Sequence, residues 1–284
     1  MSAGTASPSA PWRTADPRAT SSRRAYRALA VAAFRSLMAY RLQFTLGLLG
    51  SVFTLLSMLY LWRTILKGGH APAGFGWPQM KAYLLVAFLA NAVVSAYTDY
   101  RMASRIRDGL VAVDLTKPVD YQRARFAEAL GYAVFEVAVG LGVVAAAVAV
   151  FGAVPLPPAP MLALFLISAV LVVPLKFSLV YISALACFWT QNYMGVHWAR
   201  LALMQLFSGA MVPLALFPDW LRWIAEALPF QGMVYTPALI FIDRLHGPEL
   251  WLRLAVQAGW AIALWYGAQL AWDSALRRLT VHGG

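Results

Sequence analysis

Two ionisable side chains stand inside otherwise apolar runs: Glu136 in YAVFEVAVGLGVVAAAVAV and Lys176 in ISAVLVVPLKFSLVYISAL. A lone charge at the centre of a lipid bilayer costs about 2.5–3.5 kcal/mol even on the mildest scale, so such residues are candidates for function. Glu136 lies ten residues beyond Phe126, or about 15 Å along a helix, and Lys176 lies eleven before Cys187, or about 16 Å. Equal depths on consecutive antiparallel helices suit an ion pair. A snorkelling lysine beside a protonated carboxyl fits the same spacing. Asn91 and Gln205 are the other polar groups within apolar segments. They are suited either to lining a passage or to hydrogen bonds between helices.

Several chemistries are poorly served. The single cysteine, Cys187, leaves no intramolecular disulfide and no cysteine metal cluster, and His70, His197, His246 and His282 lie too far apart to suggest a zinc site. The sequence has no G-x-x-x-x-G-K-[ST] loop to cradle a nucleotide. An intramembrane enzyme would need nucleophile, base or metal groups converging at one depth, and only Glu136 and Lys176 approach that. The expectation is a protein that is not an enzyme and holds no cofactor or metal. The net charge of +11 does not indicate nucleic acid, because most basic residues flank apolar blocks, as they do in membrane proteins.

The elements that must carry these residues follow from hydropathy. Only 12% of the 284 residues are charged, about half the share a soluble domain needs for its solvated shell. The apolar residues gather in blocks of roughly twenty, enough to cross about 30 Å of hydrocarbon. The expected fold is an all-α integral membrane protein with six transmembrane helices, at about 43–62, 80–99, 127–150, 161–187, 199–216 and 251–272. Pro174 is placed to kink the fourth. Residues 1–22, rich in Ser, Ala, Pro and Arg, read as a disordered cytoplasmic tail, and 23–284 as one transmembrane domain. Residues 23–41 set Arg24, Arg27, Arg35 and Arg41 among apolar residues, which predicts an amphipathic helix lying in the interface. With the N-terminus inside, sixteen Lys and Arg residues fall on the cytoplasmic side and six outside. That asymmetry predicts both termini in the cytoplasm. Between spans five and six, two short apolar pieces predict a hairpin re-entering the outer leaflet: Asp219 caps the first, while Gly232 and Pro237 supply the turn.

The most polar internal stretch is 101–125, RMASRIRDGLVAVDLTKPVDYQRAR. It combines turn formers (Gly109, Pro118), an apolar plug (Leu110, Val111, Val113, Leu115) and charges that would set register (Arg105, Arg107, Asp108, Asp114). Read alone, it is either a docking element or a solvated basic loop that sets topology. Its residues Ile106, Arg107, Asp108, Gly109, Asp114, Leu115, Lys117, Pro118 and Val119 resemble the cytoplasmic loop of ABC-2 type ABC transporter permeases. The stretch 207–241, FSGAMVPLALFPDWLRWIAEALPFQGMVYTPALIF, resembles the fifth span and outer hairpin of the same family, including Pro218, Asp219, Trp220, Pro229, Gly232 and Pro237. The resemblance implies the membrane subunit of an exporter for lipophilic or cationic compounds in the cell membrane. It implies a second permease, identical or homologous, and two copies of an ABC ATP-binding subunit that carry the ATP and magnesium. Residues 105–118 would then couple to that subunit. The competing reading is a secondary transporter using Glu136 for proton coupling, against which no inverted repeat is evident.

Overall fold

The computed structural model describes residues 19–39, 41–68, 72–94, 96–190 and 193–278. The tail expected over 1–22 therefore falls mostly outside the described residues, which are helical and contain no strand. In chain order the helices are α1 (Ala19–Ala39), α2 (Arg41–Lys67), α3 (Trp77–Ala92), α4 (Ala96–Arg107), α5 (Val111–Leu115) and α6 (Tyr121–Phe151). They continue as α7 (Ala159–Leu185), α8 (Tyr193–Phe207), α9 (Asp219–Ala227), α10 (Tyr235–Phe241) and α11 (Gly247–Leu276).

Among the described residues, three stretches are long and apolar enough to cross a bilayer: Phe44–Lys67, Tyr121–Phe151 and Ala159–Phe188. They contain the third and fourth spans read from the sequence, and the first apart from Gln43. Helix α6 begins six residues earlier than hydropathy suggested. The Asp120 carboxylate accepts a 2.7 Å hydrogen bond from the Arg123 amide and caps it there. Helix α11 has 30 residues and includes the last expected span.

Two expected spans are shorter in the structure. The stretch 80–99 is not one helix: α3 stops at Ala92, Val93 is extended, and Val94 sits at φ 52°. A β-branched residue held there costs about 1–3 kcal/mol, which its surroundings must offset, and Val94 is buried. Helix α8 ends at Phe207, where Gly209 turns the chain at φ 79°. A side chain at 209 would press on the Tyr83 hydroxyl, 2.7 Å from a Cβ, so the turn requires glycine. Tyr83 donates a 2.6 Å bond to the Gly209 carbonyl. At 1.5 Å per residue, the 16 residues of α3 reach about 24 Å and the 15 of α8 about 22 Å, less than a full crossing.

The segment expected to form the hairpin, between α8 and α11, also differs in detail. Helix α9 starts at Asp219, with Pro218 rather than Asp219 in the capping position. Pro237 lies in the first turn of α10, where a missing amide is tolerated, so the reversal comes from 228–234 instead. Gly232 is within that reversal, and it is small for a packing reason. A Cβ there would approach Gln257 Cγ and Leu175 Cδ2, each at 3.1 Å. The Gln257 amide nitrogen donates to the Gly232 carbonyl at 2.8 Å and to the Ser168 carbonyl at 3.0 Å. Ser168 Oγ returns a 2.8 Å bond to Gln257 Oε1. This closed polar set joins α7, α11 and the reversal.

Helix α7 is the centre of the bundle, packed along α11 and touched by α4 and α10. Helix α1 runs lengthwise beside α6 in the same direction, Ala30 against Gly131 and Phe34 against Phe135. The Ala-rich face of the helix expected over 23–41 therefore has a protein partner. Gly131 permits the approach, since a Cβ there would collide with the Ala30 carbonyl oxygen. Gly131→Val is expected to lift α1 from α6, so that a cysteine placed at Ala33, 4% exposed, becomes reactive to a maleimide. Unchanged protection would contradict this packing.

Candidate functional site

The segment between α4 and α6 folds into a compact tip. Asp108 and Gly109 turn the chain, Gly109 at φ 70°, the left-handed region that favours glycine. Helix α5 follows, and residues 116–119 lead to the Asp120 cap. Beneath the surface lies Asp114, 4% exposed. Arg105 grips it with both arms of its guanidinium, Nε to Oδ2 at 2.8 Å and Nη2 to Oδ1 at 2.7 Å. Lys117 Nζ adds a 2.8 Å bond, and Arg125 Nη2 stands 3.8 Å away. Burial by itself would raise the Asp114 carboxyl, but the hydrogen bonds from Lys117 and Arg105, with the field of Arg125, outweigh it and hold the group below its ordinary value.

The expected coupling residues divide into two sets. Arg105, Ile106 and Asp114 face inward and shape the tip, with Ile106 packed in the core that includes Val111. Arg107, Asp108, Gly109, Leu115 and Pro118 face outward. Val111, read as part of the plug, is instead core at 2% exposed, whereas Leu110, Val113 and Leu115 project outward at 43%, 56% and 43%. Arg125, not singled out in the sequence, is buried between Asp114 and Glu128, with a 3.0 Å pair to the latter. Its i,i+3 spacing from Glu128 was the available signal.

A second feature is a cavity of about 270 Å³ bounded by α2, α3, α7 and α8. Three of the four polar residues singled out within apolar segments line it: Asn91, Lys176 and Gln205. Glu136 does not line it, although its charge acts on Lys176. The Lys176 ammonium donates to the Asn91 carbonyl at 2.7 Å and the Ala90 carbonyl at 3.2 Å. It thus serves the C-terminal end of α3, where main-chain carbonyls lack helical partners and a cation is favoured. His197 and Arg200 also line the cavity, and the sequence reading passed over both. Together with Leu201, Met204 and Gln205 they recur at three- and four-residue spacing, which sets them on one face of α8.

Compared with known proteins, residues 52–283 match the family model described as ABC-2 family transporter protein. The chain belongs to that family. Among curated proteins and among solved structures, no match was found. Family membership makes the chain a membrane permease of ABC transporter type, generally a non-catalytic membrane subunit associated with an ATP-binding subunit. The match begins inside α2, so it takes in the tip, the cavity lining apart from Ser51 and the segment between α8 and α11, while α1 lies outside it.

The segment 214–241 of this ABC-2 permease includes the amphipathic helix α9. Trp220 and Trp223 of α9 are 67% and 76% exposed. On the opposite side Arg253 of α11 binds Glu226 and Glu249, each at 3.0 Å, and stacks over Tyr235. Pro229 and Gly232 are buried in the reversal, and Thr236 donates to Gln231 at 2.8 Å.

Asp114→Ala would strand three cations around an empty site. It is expected to cost about 3 kcal/mol, the low end for breaking a buried pair because Arg105 and Lys117 reach water. The measurement is denaturant unfolding in detergent, with Asn at 114 intermediate. The folded carboxyl titrates below the unfolded one, so its contribution is full above about pH 4 and fades as pH falls through the folded value. Stability of the Asp114→Ala variant should therefore depend less on pH below 4 than that of the parent. An equal acid loss in both proteins would show that Asp114 is not the group concerned.

Proposed function

We propose that the chain is the membrane-spanning half of an ABC exporter and receives force through the tip formed by α5 and its flanking turns. The observation that carries this reading is the pairing of an outward apolar face, Leu110, Val113 and Leu115, with a buried ionic clamp beneath it. Arg107, Asp108, Lys117 and Arg123 surround that face and are exposed, which makes its surroundings aqueous rather than lipid. An apolar patch in water, held rigid and rimmed by charge, suits docking in a groove on another protein. The charges set register and approach rate.

In this reading α2, α3, α6, α7, α8 and α11 are the six spans, with both termini and the tip in the cytoplasm. Residues 93–99 and 208–217 complete the two short crossings. Helices α9 and α10 dip into the outer leaflet with Trp220 and Trp223 at the interface, a depth favoured by amphipathic rings. Two permease chains, identical or related, sit on two ATP-binding subunits that hold ATP and magnesium. Closure of those subunits switches the cavity between inward- and outward-facing states. The cavity's apolar walls (Leu55, Met58, Leu84, Phe88) suit a lipophilic cargo. A proton-coupled mechanism through Glu136 would place that carboxyl on the passage, and Glu136 is not among the lining residues.

Tagged chain purified from cells expressing its ATP-binding partner should retain that partner. Leu110→Glu combined with Val113→Glu should reduce retention about tenfold or more, as expected when two contacts at the centre of an interface are lost. Both positions are exposed, so the unfolding midpoint should stay unchanged. Full retention in the double variant would refute the tip as the docking element.

A further inference from the structure

We infer that the outward face of α1 is a seat for the head groups of anionic phospholipid. The helix is two-sided. Ala30, Ala33 and Phe34 turn towards α6, whereas Arg23, Arg24, Arg27, Ala28, Val31 and Arg35 are exposed. The exposed set recurs at three- and four-residue spacing and so forms one stripe. From Arg23 to Arg35 it is about 18 Å long at 1.5 Å per residue. Helix α1 contains no acidic residue. Among the described residues, no carboxylate pairs with any of the four arginines. Their charges call for an anion from elsewhere.

Ring contacts fix the height of this stripe. Phe34 and Phe44 both meet Phe135 of α6, at centroid distances of 5.5 and 5.0 Å. Phe44 begins the apolar stretch of α2, so Phe34 and its neighbour Arg35 stand level with the edge of the hydrocarbon. Helix α1 runs in the same direction as α6, so the residues before Phe34 lie towards Tyr121 and the charged tip, on the water side. Arg27 is about 10 Å further that way than Phe34. The head-group layer is roughly 5–8 Å deep. Arg27 and Arg35 therefore straddle it, and their long side chains reach in from both sides. A face that mixes guanidinium groups with the small apolar Ala28 and Val31 suits this boundary, whereas an acidic protein surface would match only the charges. One guanidinium gives two parallel bonds to a phosphate. A choline ammonium opposes that phosphate in phosphatidylcholine and none does in phosphatidylglycerol, so the stripe favours the anionic class. Because α1 packs on α6, the helix that follows the tip, bound head groups brace the tip's support. Helix α1 precedes residues 52–283, so the seat is no part of the family match, and it stands apart from the exporter reading.

The test places a benzophenone amino acid at Ala28 of the full chain, in nanodiscs of equal parts phosphatidylglycerol and phosphatidylcholine with the same acyl chains. Intact-protein mass spectrometry counts the lipid adducts after illumination. Phosphatidylglycerol adducts should exceed phosphatidylcholine adducts about fivefold or more, the preference that one arginine near the surface supplies. The ratio should fall towards one when Arg24, Arg27 and Arg35 are all replaced by glutamine, and also in high salt. It should persist when the same three are replaced by lysine. An equal ratio in the parent, or a preference that survives the glutamine variant, overturns the inference. So does a preference lost in the lysine variant, or adducts to the ATP-binding subunit in place of lipid when that subunit is present. Displacement by millimolar glycerol phosphate would identify a site for free phosphate and overturn it too. None of these results alters docking through Leu110 and Val113, and failed docking at the tip leaves the lipid ratio unchanged, so the two readings fail separately.

Discussion

In an apolar surrounding no main-chain carbonyl can end without a donor, and that constraint decides how this bundle is joined. Helix α3 stops at Ala92, leaving carbonyls without helical partners. The Lys176 ammonium on α7 serves two of them. The bond compensates a buried charge and an unfinished helix at once. It also permits the chain to break at Val93 and Val94 and restart as α4. Without the break, α3 and α4 would be one rod through the region, and the tip would move rigidly with the cavity wall. With it, the wall and the helix leading to the tip are separate bodies joined at one point. The cavity lies on one side of that joint, with Asn91 and Val94 in its lining.

At the other end of α4 a second buried ionic arrangement does a different job. Asp114 gathers Arg105 from α4, Lys117 from beyond α5 and, at longer range, Arg125 from α6. One carboxylate therefore fixes the tip to the two helices that flank it. A push on Leu110, Val113 or Leu115 is passed to α4 and α6 instead of being absorbed by a flexible loop. Helix α4 packs on α7, the element that also carries Lys176. Tip, joint and cavity thus share one helix as their common support. In the proposed function the permease is a relay between a protein-facing surface and a lipophilic cavity.

Hydropathy alone located α2, α6, α7 and α11, because a bilayer imposes length and apolarity together. The tip was legible for a different reason: glycine and proline bracket a short apolar run among alternating charges. What stayed hidden had no such signature. The break at Val93 and Val94 has neither glycine nor proline, since it is made by Lys176, 82 residues away from Val94. Arg125 resembled any other loop cation because Asp114, its partner, lies across a turn. Glu136 and Lys176 were rightly noticed as costly, yet the short contacts of Lys176 go to main chain, which no side-chain pattern reveals. His197 and Arg200 were written in helical spacing. Arg200 was missed because a basic residue near a span end was read as a topology signal, and His197 because it was weighed only as a zinc ligand.

The central claim is that force enters from an ATP-binding partner through the tip. The most direct measurement is ATP-dependent movement of a lipophilic probe in proteoliposomes holding the purified permease with and without that partner. The account predicts movement only when both are present and ATP is supplied, and its loss when Leu110 and Val113 are both replaced by glutamate. Movement by the permease alone, indifferent to ATP, would contradict it.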